Sequence, residues 1–228
     1  DVEKTVDEYS VDIMIFLQQH GVTSRDITGV SACCVVPALS RVFSKLSRKL
    51  FEVDALFASS STIPEAPITL QEPSAVGADR IVNVLAARTL HAIPGIVVDF
   101  GTATTFDVIA EDGSFIGGLI APGLQTSAQA LSRRAAQLPP IELKAPDGLI
   151  GKDTVSAMRS GIVLGYVSLV EGLVNRLKQD PSLHGNDSID VIATGGLSSV
   201  IVEHSNVFTH LQPDLTLMGL REFARLRG

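Results

Sequence analysis

The fold class of this chain is decided by one stretch near its middle, residues 96–109, which reads IVVDFGTATTFDVI. A run of β-branched and apolar residues ends in an aspartate, Gly101 allows a tight turn, and a second strand-forming run follows. The turn at residues 111–114 then leads into a third apolar run at residues 115–120. Two hairpins in succession predict three antiparallel strands in the middle of the chain.

Helical periodicity and further strands surround these hairpins. Helices are predicted at residues 5–20, from Pro37 to about 50, 80–91, 124–137, 153–178 and about 215–227, and strands at residues 27–36 and 188–194. This alternation predicts an α/β fold with a mixed sheet. Gly161, Gly165 and Gly172 recur along the longest helix, which predicts its close packing against another element.

Composition excludes some function classes. The 228 residues are 45% hydrophobic and 19% charged, as in a folded globular protein. A net charge of −7 counts against a nucleic-acid binder, which usually carries a basic face. No uninterrupted apolar run reaches the roughly 18 residues of a membrane span. We expect neither a nucleic-acid nor a membrane partner.

The two cysteines, Cys33 and Cys34, are adjacent. Neighbouring cysteines rarely bridge each other, so we expect a reducing, cytoplasmic location. Their apolar surroundings predict that both are buried in a strand. The first residues carry no signal-peptide pattern and no initiator Met, and we expect a segment upstream of them.

The turn between Asp99 and Asp107 is the strongest chemical motif. Backbone N–H groups and hydroxyls at such a turn can cradle phosphate oxygens, and a carboxylate can hold a cation. An ordinary hairpin with threonines on its surface explains the residues equally well.

Three weaker motifs lie at the ends of predicted elements. In Gly77-Ala78-Asp79-Arg80, the aspartate could accept a hydroxyl proton and the arginine could clamp a carboxylate, or they could be a helix cap and a solvated charge. Gly151-Lys152-Asp153-Thr154 is typical of a helix cap. The pair Gly195-Gly196 follows a strand and precedes a helix. Ligands often bind at this position in open α/β sheets, although a plain tight turn explains the pair equally well.

Together these motifs resemble one family. The segments 76–80, 99–107, 117–123, 151–154, 160–162 and 193–197 are similar, in order and separation, to those of type III pantothenate kinases. The resemblance covers essentially the whole chain. It implies membership of the acetate and sugar kinase, heat-shock 70 and actin superfamily.

The resemblance implies a fold of two ribonuclease-H-like domains with mixed sheets, at residues 1–90 and 91–228. It also implies that this chain starts about 30 residues later than the family does, so that the family's Asp-x-Gly-Asn-Thr-like phosphate turn, with its magnesium-binding aspartate, would precede the first residue here. The N-terminal domain is then expected to lack its first strands and to offer only about two. A chain truncated in this way should bind ATP poorly.

The resemblance also implies roles for single residues on the substrate side. Asp79 matches the general base for the pantothenate hydroxyl. Gly77, Ala78, Asp79 and Arg80 together match the pantothenate-binding segment, and Thr154 matches a further pantothenate contact. The family's tyrosine ahead of this segment is replaced here by the stretch Leu70 to Pro73.

On the nucleotide side, Thr102 matches an ATP contact and Asp99 matches the ligand of a monovalent cation, potassium or ammonium. Gly195 and Gly196 are expected near the adenosine. The implied cofactors are therefore ATP with Mg²⁺ and K⁺ or NH₄⁺, and the implied partner is a second copy of the chain in a homodimer.

The implied activity is ATP-dependent phosphorylation of pantothenate to 4'-phosphopantothenate, the first step of coenzyme A biosynthesis. Two alternatives on the same scaffold stay open from the residues. One is a non-catalytic transcriptional accessory protein, and the other is a phosphohydrolase or exopolyphosphatase that would not require pantothenate.

Overall fold

The computed structural model describes residues 4–135, 137–183 and 188–228. Its helices are α1 (Val6–Gln19), α2 (Pro37–Phe51), α3 (Ala78–Leu90), α4 (Leu124–Arg134), α5 (Thr154–Lys178), α6 (Ser198–Val202) and α7 (Leu215–Arg227). Its strands are β1 (Val30–Ala32), β2 (Ala55–Phe57), β3 (Gly95–Phe100), β4 (Ala103–Ile109), β5 (Phe115–Pro122), β6 (Asp190–Thr194) and β7 (His210–Leu211).

The predicted helices and the central hairpins are confirmed, except that the helix predicted at residues 124–137 ends at Arg134, and residue 136 lies outside the described residues. Two short strands, β2 and β7, were not predicted, because strands of three and two residues are too short to show an alternating pattern. The strand predicted at residues 27–36 is only three residues long, and its residues are half-buried.

The chain divides into two compact units, and each is discontinuous in sequence. The small-sheet unit comprises the residues up to Ala66, Glu72–Ala86 and Thr216–Gly228. The large-sheet unit comprises Pro67–Gln71 and Ala87–Leu215. The single domain boundary between residues 90 and 91, drawn from the family resemblance, stays a prediction.

The large-sheet unit is built on a five-stranded mixed sheet in the order β5-β4-β3-β6-β7. Strands β3, β4 and β5 pair antiparallel, whereas β3, β6 and β7 pair parallel. The α/β prediction with a mixed sheet is therefore confirmed. The parallel strands are joined by helical crossovers, as their geometry requires.

Helix α5 covers one face of this sheet. Its residues Tyr166, Val167, Val170 and Val174 join side chains of β3, β4 and β6 in one buried apolar cluster. By length and composition α5 could also cross a membrane, and 39% of its most apolar window is buried. Its apolar face packs on the sheet, so we interpret α5 as a core helix.

The small-sheet unit has a parallel pair, β1 and β2, packed with α1, α2, most of α3 and α7. The middle of helix α3 is buried on all sides, since every residue from Ile81 to Ala87 is buried. Gly219 of α7 lies against the backbone of Val82, where an added Cβ would stand 2.2 Å from the carbonyl oxygen. A glycine is therefore required for α7 to pack at this distance.

Two expectations from the sequence are wrong. Cys33 and Cys34 are half-buried and follow β1 instead of lying within it, because the strand ends at Ala32. The three glycines of α5 do not pack closely against another part of the described chain. An added Cβ on any of them would meet nothing within 4 Å, and all three are exposed.

Candidate active site

Two strand ends bring the predicted nucleotide residues of the large-sheet unit together. Strands β3 and β6 run parallel, and their register places Asp99 beside Thr194. The half-buried Asp99 therefore lies next to the turn that begins at Gly195. This is the carboxyl end of both strands, where open α/β sheets bind their ligands.

Gly195 is held against Asp99 by close packing. Its φ of +89° lies in the left-handed region. An added Cβ would stand 2.6 Å from Asp99 Oδ1 and 2.8 Å from both N and O of Phe100. Only glycine fits this backbone position, so the Gly195 turn is fixed by the strand beside it.

The same contacts describe a set of oxygen atoms. Asp99 Oδ1 and the Phe100 carbonyl oxygen both border the space that a side chain on Gly195 would fill. Carboxylate and carbonyl oxygens are the ligands that hard cations take in proteins. The prediction that Asp99 binds a monovalent cation stays a prediction.

The turn between β3 and β4 packs closely against a second glycine, Gly123. Gly123 donates its N–H to the Thr102 carbonyl oxygen at 3.1 Å, and Thr126 Oγ1 donates to the same oxygen at 2.7 Å. An added Cβ on Gly123 would stand 2.4 Å from the carbonyl oxygens of Gly101 and Thr102. The exposed Thr102 is thereby held at the start of α4.

A cavity of about 560 Å³ opens over these turns. It is lined by Phe100, Gly101, Thr102, Gln125, Thr126, Gln129, Gly196 and Leu197. The contribution of α4 to this cavity was not predicted from the sequence. Gly123 directly before a helical pattern was the available signal, because the N-terminus of a helix presents N–H groups that favour anions.

In the small-sheet unit, the Gly77–Arg80 segment forms the start of α3. The helix begins at Ala78, so Asp79 and Arg80 lie in its first turn and not ahead of it. Asp79 Oδ1 accepts the Arg80 backbone N–H at 2.8 Å. The carboxylate is half-buried and placed where the helix macrodipole favours negative charge.

A second cavity, of about 450 Å³, lies beside this segment within the small-sheet unit. Its lining comes from three stretches of chain: Cys34 and Val35, Ala58 to Ser60, and Ser74 to Ala78. Gly77 and Ala78 are thus at a cavity wall. Cys34, which the sequence analysis treated as a core residue, shares that wall.

Thr154 is placed apart from the cavity over Thr102. It is exposed at the first position of α5 and is not among the residues that line that cavity. Asp153 caps the helix, with its Oδ1 accepting the Ser156 N–H at 3.0 Å. The interpretation of this motif as a helix cap is confirmed, and hydrogen bonds from Ser156 hold the pKa of Asp153 below its ordinary value.

The structure therefore brings Asp99, Thr102, Gly195 and Gly196 together in one unit. Gly77, Ala78, Asp79 and Arg80 form a continuous segment of the other unit. The meeting of Asp79 with the Asp99 turn across a shared cleft stays a prediction.

Comparisons with known proteins agree with the motifs. A family model described as type III pantothenate kinase matches residues 1–176. A type III pantothenate kinase of Dehalococcoides mccartyi is 42% identical over 219 residues, which is 96% of this chain and 83% of the relative. Relatives of the same name align over 96% of this chain in Bacillus cytotoxicus, with 43% identity and 82% of the relative covered, and in Roseiflexus sp., with 44% identity and 84% covered.

The family model spans the start of α3 and the Asp99 turn, and the alignment with the Dehalococcoides mccartyi relative covers most of the remaining chain as well. The chain belongs to the type III pantothenate kinase family.

Proposed function

We propose that this chain transfers the γ-phosphoryl group of ATP to the hydroxyl of pantothenate, giving 4'-phosphopantothenate at the first step of coenzyme A biosynthesis. The observation that carries the proposal is the family match, which extends over most of the chain and includes both groups of candidate residues. Phosphoryl transfer depends mainly on positioning and charge neutralisation, and both groups are suited to that task.

Asp79 is the proposed general base. One of its oxygens is held by the Arg80 N–H, which fixes the carboxylate at the start of α3. A carboxylate held in this way can accept the proton of an attacking hydroxyl through its other oxygen.

Gly77, Ala78, Arg80 and Thr154 are the proposed pantothenate contacts. Gly77 and Ala78 border a cavity, and a guanidinium such as that of Arg80 can bind a carboxylate with two parallel hydrogen bonds. Pantothenate carries one carboxylate, which gives Arg80 a matching partner.

Thr102, Gly195 and Gly196 are the proposed ATP contacts, with Mg²⁺ accompanying the phosphates. Asp99 is the proposed ligand of a K⁺ or NH₄⁺ ion, supported by the convergence of its Oδ1 with the Phe100 carbonyl oxygen. A bound monovalent cation would add positive charge beside the nucleotide phosphates. Thr102 and the glycine turn hold the nucleotide by backbone groups and a hydroxyl.

Two ribonuclease-H-like domains are the proposed architecture. The large sheet supports it, since an antiparallel group of three strands is extended by two parallel strands that follow crossover helices. In the described part of residues 1–90 the structure has two strands, β1 and β2, which agrees with the number expected there.

A homodimer is the proposed assembly, and the outer face of α5 supports it. Gly161, Gly165, Ser168 and Gly172 are all exposed at helical spacing on that face. Small residues in this arrangement let a second helix approach closely. Leu149 and Ile150, just before α5, are 75% and 82% exposed, which a second copy would cover.

We also propose a cytoplasmic location without nucleic-acid or membrane partners. The net charge of −7 and the packing of α5 on the sheet support this assignment.

The test is release of ADP by the full-length protein in a coupled assay, with and without pantothenate. We expect ADP release only when pantothenate, ATP and Mg²⁺ are all present. Pantothenate-independent release would indicate a phosphohydrolase, and pantothenate binding without turnover would indicate an accessory protein. Either result would contradict the proposed function.

A further inference from the structure

We propose that His91, Asp190 and His210 form a binding site for one zinc-type transition-metal ion, separate from the candidate active site. One ligand atom from each of the three side chains lies within 4.8 Å of the other two. All three belong to the large-sheet unit. Two imidazoles and one carboxylate make up a donor set that suits Zn²⁺, with a water as the fourth ligand.

The topology of the sheet brings these residues together. Asp190 is the first residue of β6, and His210 on β7 pairs with Ile192. Side chains two residues apart on a strand share one face, so Asp190 and His210 face the same side of the sheet. His91 directly follows the end of α3, and its ring centroid lies 4.4 Å from that of His210.

The carboxylate is oriented by its neighbours. Asp190 Oδ2 accepts the Ala92 backbone N–H at 3.1 Å and lies 3.2 Å from His210 Nε2. The first contact ties the segment after α3 to the start of β6. Hydrogen bonds of this kind hold metal ligands in place.

His91 supplies the observation that points to a ligand. Its Nε2 is shielded from solvent and has no hydrogen-bond partner among the described residues. A buried polar atom left in this way requires an explanation, and an ion is one.

The donor set also selects the kind of ion. Ca²⁺ and Mg²⁺ take oxygen ligands almost exclusively, whereas imidazole suits zinc and its neighbours. The His210 side chain is 40% exposed and that of Asp190 18%, so the ion has an open approach from solvent and space for a water.

The site lies at the opposite end of β6 from the glycine turn. Asp190 opens the strand and Thr194 closes it, so the two ends are about 13 Å apart at strand spacing. The ion is therefore expected to stabilise the large-sheet unit and not to contact the nucleotide.

The experiment is a zinc titration of the metal-stripped full chain in the absence of nucleotide, with Co²⁺ as a spectroscopic probe. It is done in a Cys33→Ser, Cys34→Ser background as well, because thiols bind zinc strongly. We expect one Zn²⁺ per chain, a visible Co²⁺ spectrum of low coordination number, and a higher Tm with zinc.

His91→Gln and His210→Gln should each weaken zinc binding by about tenfold or more. The matched control is His204→Gln, because His204 also has a buried Nε2 without a described partner but lies outside the cluster. Circular dichroism checks that each variant is folded. Binding that is unchanged in both cluster variants, or that disappears with the cysteines, would overturn the proposal.

Discussion

The two parts of the candidate site are constructed in different ways. In the large-sheet unit the Gly195 turn is fixed by backbone packing, with an added Cβ meeting the main chain of Phe100 at 2.8 Å. In the small-sheet unit an added Cβ on Gly77 would meet Asp79 Oδ1 at 2.5 Å and Val35 Cγ1 at 3.7 Å, both of them side-chain atoms. The nucleotide side is therefore shaped by backbone, and the substrate side by side chains.

Because of this difference, we expect mutations on the two sides to have different effects. A change of side chain at the start of α3 should alter chemistry while the fold survives. Replacement of Gly195 by a residue with a Cβ should change the conformation of the turn, and this change should weaken nucleotide binding.

The largest effect is expected from Asp79→Asn. The amide keeps the size of the carboxylate but cannot accept the hydroxyl proton, so turnover should fall by about 10²- to 10⁴-fold. Steady-state kinetics gives the rate, and calorimetry should show pantothenate binding largely retained.

The control for this change is Glu72→Gln, at an exposed carboxylate ahead of the same helix. It should leave turnover within about twofold, since surface substitutions rarely have larger effects. Unchanged turnover in Asp79→Asn would remove that residue from the role of base.

The next largest effect is expected from Gly195→Ala. A Cβ at φ +89° would be strained and would clash with Phe100, so the turn should shift by a few tenths of an ångström or more. Displacement of positioning groups on the scale of 1 Å costs up to about a hundredfold in rate, and we expect kcat/KM for ATP to fall by about that factor.

Gly196→Ala separates backbone packing from cavity lining. Gly196 lines the same cavity, but an added Cβ there would meet nothing within 4 Å. We expect a much smaller loss than for Gly195→Ala. Equal losses in the two variants would mean that cavity space, and not the packed turn, determines nucleotide binding.

A smaller effect is expected from the cation. Activity should require K⁺ or NH₄⁺. Asp99→Asn should weaken the affinity for the activating cation about tenfold or more, because an amide oxygen carries less negative charge than a carboxylate oxygen. Initial rates in potassium, ammonium and sodium salts at constant ionic strength measure this. Full activity of the unmutated chain in sodium alone would contradict the assignment of Asp99.

The sequence predicted the features that depend on local pattern. The glycine turn after Asp99 and the start of α2 at Pro37 follow from backbone preferences of single residues, and both are present. The two hairpins needed only neighbouring residues to be recognised. Family resemblance then supplied the candidate residues that local pattern left ambiguous.

The features that were missed depend on contacts between distant residues. The strand β7 exists because His210 and Leu211 pair with β6, and its two residues show no pattern of their own. The approach of Gly195 to Asp99 joins positions almost one hundred residues apart in the chain. The exposed glycines of α5 were predicted to be packed, because a sequence cannot say whether the neighbour is the same chain or another copy.

The smallest effect is expected from Tyr166→Phe, on stability alone. The buried hydroxyl donates to the Pro122 carbonyl oxygen at 2.8 Å and lies 2.7 Å from Thr104 Oγ1, so it ties α5 to the strands of the nucleotide side. Its loss leaves the buried Thr104 hydroxyl without this partner and should lower the free energy of unfolding by about 1–3 kcal/mol, measured by urea titration. Tyr9→Phe, at the half-buried tyrosine of α1, is the comparator and should cost less.

The pH dependence of that difference provides an independent check. Burial raises the pKa of Tyr166 above its ordinary value of 10.0, although the hydrogen bond with Thr104 opposes the shift. Because the folded pKa is the higher one, the contribution of the neutral hydroxyl is complete below pH 10 and is lost as the pH rises from there towards the folded pKa. The stability gap between the unmutated chain and Tyr166→Phe should therefore narrow above pH 10, and a gap that widens there would show that the phenol is not held neutral by burial.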